Sequence, residues 1–196
     1  STSLFCDYDK KILIPQLIEL AVDYKLDGAW VDGECWAANE DYSKLALEAY
    51  EKSDKSLSFK DFHRQAFRNH VQNYVNAVKA VAPEFEITSN WMYTQQMPEK
   101  PTVSIDFISG DVIPMETYNA TKFGTRVIAN HSKTWDLISW TTDFYLHYEK
   151  SALQLCIEAA DIIAMGGAFQ LYCVQDYKGF MQNESYISTI KEISDF

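Results

Sequence analysis

The residues best suited by type and spacing to do chemistry begin with Asp32 and Glu34, inside the stretch "LDGAWVDGECW" that runs from Leu26 to Trp36. Asp32 ends the short apolar run "GAWV", and Gly33 lets the backbone turn at once. A carboxylate at the end of a rigid strand can act as nucleophile or base, although an Asp-Gly pair is also ordinary turn chemistry. Asp27-Gly28 precedes the same run and reads as the structural start of the strand. Two further acids follow the run "DFISG": Asp111, and Glu116 in "VIPMETY", where Pro114 stiffens the chain. Glycoside hydrolysis needs two carboxyls flanking one bond, about 5 Å apart in retaining enzymes and about 6.5–9.5 Å in inverting ones. Asp32 with Glu116, Glu34 or Asp111 supplies candidates for such a pair. Each acid taken singly is equally well a solvated loop residue.

Sugars present apolar C–H faces that stack on Trp and Tyr, and hydroxyls that need Asn, Asp, Glu and His. The expected substrate-binding set is Glu34, Trp36, Asn90, Trp91, Asp111, His131 and Trp135. The five tryptophans, at 30, 36, 91, 135 and 140, fall in or after three of the expected strands and outside the long expected helices. Trp30, inside a strand, reads as readily as a core residue. Tyr24, Tyr74 and the helical phenylalanines read as packing.

These side chains need elements to position them, and the chain alternates helix and strand. "KKILIPQLIELAVDYK" puts Leu13, Leu17, Leu20, Ala21 and Tyr24 on one helical face. "LDGAWV" follows as a strand, then a polar stretch with a helical piece over 44–51. "FKDFHRQAFRNHVQNYVNAVKAVA" carries Phe62, Ala66, Phe67, Val71, Tyr74, Val75, Val78 and Ala82 at helical spacing and stops at Pro83. Further strands are expected at "FEITSNW", "SIDFISGD", "TRVIANHS" and "AFQLYCV". "EKSALQLCIEAADIIAM" reads as a helix with Leu153, Cys156, Ile157 and Ala160 inward, ended by Gly166-Gly167, and 185–195 as a terminal helix. Short apolar strands separated by helices indicate parallel βα units. No repeat or linker divides residues 1–196, which read as a single domain. Five strands fit a doubly wound sheet or part of a (β/α)8 barrel. The polar and aromatic residues just past the strands favour the barrel, whose active sites lie on the C-terminal loops.

Composition narrows the function. The net charge of -11 and a pI near 4.7 argue against nucleic acid and anionic membranes as partners, and suit neutral substrates. No run of 18 apolar residues is present, so no membrane helix is expected. The four cysteines, Cys6, Cys35, Cys156 and Cys173, form no CxxC pair, and Cys156 and Cys173 sit in apolar runs as buried thiols. The four histidines show no ligand spacing, so neither metal nor cofactor is expected. Dinucleotide and phosphate-binding glycine motifs and a GxSxG elbow are absent from the sequence. Sequons stand at Asn119, Asn130 and Asn183.

The stretch "LIPQLIELAVDYKLDGAWVDGECW" resembles the helix and fourth strand of α-L-fucosidase-like glycoside hydrolases and their (β/α)8 relatives. The resemblance continues more weakly through "EITSNW", "DFISGDVIPMETY", "RVIANHSKTWD" and "AMGGAFQLY". It implies a TIM-barrel-like α/β fold supplied in part, strands four to eight, with Asp32 as nucleophile and Glu116 as general acid/base. Glu34 is the runner-up for the acid/base. It also implies a carbohydrate substrate, retaining hydrolysis, and a periplasmic or secreted location. Strands one to three of such a barrel would have to come from a missing N-terminal segment, or their place be taken by association as a homo-oligomer, because open sheet edges invite pairing. The alternatives are a catalytically silent carbohydrate-binding barrel domain and a doubly wound enzyme.

Overall fold

A computed structural model describes residues 2–32, 40–112, 117–131, 133–143, 148–175, 178–181 and 184–196. The chain packs as two compact units, one formed by Ser1–Asn90 with Lys100–Asp106, the other by Trp91–Glu99 with Phe107–Phe196. No helix among the described residues is long and apolar enough to cross a membrane.

In the first unit a π-helical turn, Asp9–Leu13, leads into α1 (Ile14–Val22), whose Pro15 sits in the first turn where no amide donor is lost. β1 (Gly28–Val31) follows, then α2 (Lys44–Lys52) and the long α3 (Phe59–Lys79). Ser43 and Ser58 cap these two helices, accepting hydrogen bonds from the amides of Ala46 and Asp61. α3 buries Phe67, Val71, Tyr74, Val75 and Val78, the stripe its apolar spacing predicts, and packs on α1. His70 lies on the same buried face, its Nδ1 2.6 Å from Asp9 Oδ2. β2 (Glu86–Ser89) pairs in parallel with β1, Val31 opposite Ser89. The Asp106 carboxylate fastens the start of β2, accepting from Ile87 N at 2.8 Å and from Lys79 Nζ at 2.9 Å.

The second unit is built on a parallel three-stranded sheet in the order β3 (Phe107–Asp111), β4 (Thr134–Trp140), β7 (Ala168–Tyr172). α4 (Thr117–Ile128) connects β3 to β4. A small antiparallel pair, β5 (Thr142–Asp143) and β6 (Tyr148–Glu149), and then α5 (Ala152–Ala164) connect β4 to β7. α6 (Ser185–Asp195) closes the chain against α5. Ser151 and Gln154 form a reciprocal capping box at the start of α5. The helix ends at Gly166, whose φ of +86° is cheap only for glycine.

Four of the five expected strands stand where the sequence puts them. The fourth does not: residues 125–128 of "TRVIANHS" form the last turn of α4, and the strand is "TWDLISW" instead. Ala120, Thr121, Thr125 and Ile128 are buried at helical spacing, so period 3.6 overrides the β-branched composition. α5 also presents a different face. Leu155, Cys156, Glu158, Ala159 and Ile162 are buried, whereas Leu153 is 70% exposed and Ile157 39%.

Glu158 on that face is matched by Lys150, just before the helix. The side chains are 1% and 0% exposed, with Nζ 2.9 Å and 3.2 Å from the two carboxylate oxygens. Removing one member leaves an uncompensated buried charge. Lys150→Met is expected to lower unfolding stability by about 3–5 kcal/mol, and Lys150→Met/Glu158→Leu to restore much of it. Chemical denaturation measures both, and a single-variant loss below about 1 kcal/mol would contradict the pairing.

Candidate active site

Parallel pairing places like positions of β1 and β2 side by side, so Asp32 and Asn90, each the first residue past its strand, continue the register of Val31 opposite Ser89. Asn90 N donates to Val31 O at 2.9 Å, and its amide Nδ2 donates to Asp32 Oδ1 at 2.8 Å. Asn90 is 2% exposed, and its Oδ1 is buried with no hydrogen-bond partner among the described residues. Asp32 is exposed. A buried amide thus holds a solvent-facing carboxylate by one oxygen at the C-terminal end of a parallel strand. Trp30, two residues earlier on the same strand face, is 36% exposed rather than buried in the core.

In the second unit, alternation along the strands puts Ser109 and Asp111 of β3, Asp136, Ile138 and Trp140 of β4, and Gln170 and Tyr172 of β7 on one face of the sheet. Asp111 is 8% exposed and accepts two indole hydrogen bonds, from Trp140 Nε1 at 2.8 Å and from Trp91 Nε1. Trp91 is in the left-handed region, at φ +64°. A bulky residue there costs on the order of 1–3 kcal/mol and persists only where its surroundings fix it. Four bonds do so. Its N–H donates to Ser109 O, its carbonyl accepts from Thr94 N and Thr94 Oγ1, and its indole reaches Asp111. Gln96 adds an amide bond of 3.0 Å to Asp111 O. The tight turn after β2 is therefore lashed to the end of β3.

Asp136 lies one register step deeper, opposite Ser109, whose hydroxyl donates to it at 2.5 Å. The Gln170 side chain also bonds to it. Burial pushes the Asp136 carboxyl above its ordinary value of 3.8, and the nearby charge of Asp111 adds to the rise, while the bonds from Ser109 and Gln170 oppose it.

The expected site residues divide into three groups. Asp32 and Asn90 are joined by a hydrogen bond in the first unit; Trp91 and Asp111 are joined in the second. Trp135 and His131 stand elsewhere. Trp135, the second residue of β4, is 5% exposed, on the face opposite Asp136 and against Gly167, where an added Cβ would come within 2.2 Å of its ring. His131 sits in the turn between α4 and β4, beside Tyr93 at 6.4 Å between ring centroids. Both are at the N-terminal end of β4. Their placement follows from the exchanged strand, since what reads as the end of a strand is the end of α4. Glu34, Trp36 and Glu116 lie outside the described residues. Asp136, Trp140 and Tyr172 are not among the site residues expected from sequence. The period-2 pattern of "TWDLISW", with Asp136 and Trp140 four apart, is the signal that would have found the first two. Among the described residues no three His, Cys, Asp or Glu side chains are grouped to hold a metal ion.

No family model and no curated protein matches the chain. Among solved structures it is similar to bee venom hyaluronidase in complex with a hyaluronic acid tetramer, at 12% identity and a TM-score of 0.58, over 90% of this chain and 70% of that one. The likeness is one of fold, that of a TIM-barrel hydrolase. A monoclinic crystal structure of bee venom hyaluronidase gives a TM-score of 0.49 at 12% identity, over 90% of this chain and 71% of that one. Helices and strands that alternate around parallel sheets are features shared with that fold.

The raised carboxyl of Asp136 has a defined consequence for stability. Folding favours its protonated form, so its contribution is fully present below about pH 3.8 and is lost as pH rises through the higher folded value. Asp136→Asn keeps an oxygen to accept from Ser109 and cannot ionise. The variant is expected to gain stability relative to the wild type as pH rises above about 4, and then to hold that gain. Parallel pH–stability curves for the two proteins, from thermal or denaturant melts, would contradict this.

Proposed function

We propose that this chain is the catalytic part of a glycoside hydrolase acting on a neutral glycan, with Asp32 as its principal carboxylate. The observation that carries the reading is the Asp32–Asn90 pair, an exposed carboxylate oriented by a buried amide at the C-terminal end of a parallel strand. The barrel-like fold adds support by analogy alone. The chain's charge of -11 sets it against a polyanion such as the hyaluronic acid bound by the bee venom enzyme, and favours an uncharged sugar.

In its specific form the reading is retaining hydrolysis of the α-L-fucosidase-like kind. Asp32 attacks the anomeric carbon, and Glu116 protonates the leaving oxygen and then activates water, with Glu34 as the alternative acid/base. The chain then supplies strands four to eight of the barrel, completed by a further segment or a second copy, and works in the periplasm or outside the cell.

Hydrolysis of a panel of 4-nitrophenyl glycosides, the α-L-fucoside included, tests the assignment. Asp32→Asn is expected to lower kcat/KM on the order of 10³-fold, and Glu116→Gln or Glu34→Gln to identify the acid/base by a comparable loss. Undiminished turnover by Asp32→Asn would rule the reading out. Binding of glycans by a wild type that turns over none of them would favour the silent carbohydrate-binding domain.

A further inference from the structure

We propose that Trp140, Tyr172 and Trp91 form an aromatic subsite for one pyranose ring of a neutral glycan, and that Asp111 is its positioning residue. The inference rests on the glycan-directed reading above and adds the group that recognises the sugar. An indole N–H is a donor only, and a carboxylate has two acceptor oxygens, so one carboxylate can give each of two tryptophans an oxygen of its own. Asp111 does this: Trp140 Nε1 reaches Oδ1 at 2.8 Å, and Trp91 Nε1 reaches Oδ2. With both oxygens committed to indoles, its task is to fix ring planes. Tyr172, directly opposite Trp140 in the β4–β7 register, supports that ring at 4.8 Å between centroids with a 43° tilt.

The three aromatic residues are half-buried, whereas Asp111 beneath them is buried. That is the arrangement a stacking platform needs: fixed edges with part of each face left to solvent. A core cluster would bury the rings completely, as it does Tyr74 and Tyr93, each 0% exposed. Asp111 and Asp136 on the same sheet face bear on the ligand's charge class, because carboxylate charge there repels an anionic sugar and leaves a neutral one unaffected.

The test uses the full chain carrying Asp32→Asn, so that binding is read without turnover. Probes are cellotetraose, tetra-N-acetylchitotetraose and maltotetraose, with a hyaluronan tetrasaccharide as the anionic comparison. At least one neutral probe is expected to bind saturably by calorimetry, more tightly than the anionic one. Trp140→Ala and Asp111→Asn are each expected to weaken it about tenfold. Two of the five indole 1H–15N signals, assigned through Trp91→Phe and Trp140→Phe, are expected to move together in Asp111→Asn, a signature that general destabilisation does not produce. If Asp111→Asn does not fold, Trp140→Phe decides: loss of that one N–H must weaken binding and shift the Trp91 signal. The proposal is overturned if no neutral probe binds, if the anionic probe binds more tightly, or if platform variants bind within twofold of their parent. Undiminished glycoside turnover by Asp32→Asn would defeat the functional reading alone, and platform variants without effect would defeat the subsite alone.

Discussion

One buried carboxylate satisfying two indoles organises the end of the second unit's sheet. Asp111 terminates β3, and the donors it accepts come from two separate pieces of chain, Trp91 in the turn before β3 and Trp140 at the end of β4. Were Asp111 apolar, both indole N–H groups would be left without their acceptor, at a cost of about 1–3 kcal/mol each where buried. The left-handed Trp91 would lose one of the four bonds that hold it, and the turn formed by residues 91–97 would lose its anchor at the strand end. The Gln96 amide on the Asp111 carbonyl ties the same turn down from its far side.

The acids of the chain are thereby separated by environment rather than by type. Asp32 is exposed and oriented by an amide, Asp111 is buried and fully engaged by indoles, and Asp136 is buried with its carboxyl pushed above the ordinary range. Of these three, only Asp32 is open to solvent. Lys150 and Glu158 illustrate the other way of burying charge, as a mutually compensated pair under the start of α5.

Much of this was legible in the sequence where local signals agree. The α3 stripe, the glycine end of α5 and the terminal helix follow from spacing and capping, and the structure has them there. Asp32 and Asp111 were legible because each directly ends an apolar run. The failures have physical causes. "TRVIAN" carries strand-favouring residues on a helical period, so composition and period disagree and the period wins in α4. That exchange carried His131 and Trp135 to the wrong end of β4. Glu158 was invisible as a buried residue because its cation lies outside the helix that bears it. The partnership of Asp111 with Trp140 depends on strand register, and the left-handed turn at Trp91 on tertiary bonds, neither of which sequence spacing encodes.

The most direct measurement is covalent trapping. A retaining enzyme forms a glycosyl ester on its nucleophile, and a fluorinated glycoside with a good leaving group accumulates that ester. The tryptic peptide 26–44 holds both Asp32 and Glu34, so fragmentation mass spectrometry must locate the adduct. One sugar equivalent is expected as an ester on Asp32, and it is expected to disappear in Asp32→Asn. An adduct on any other carboxylate, or none from a glycoside that the protein hydrolyses, would contradict it.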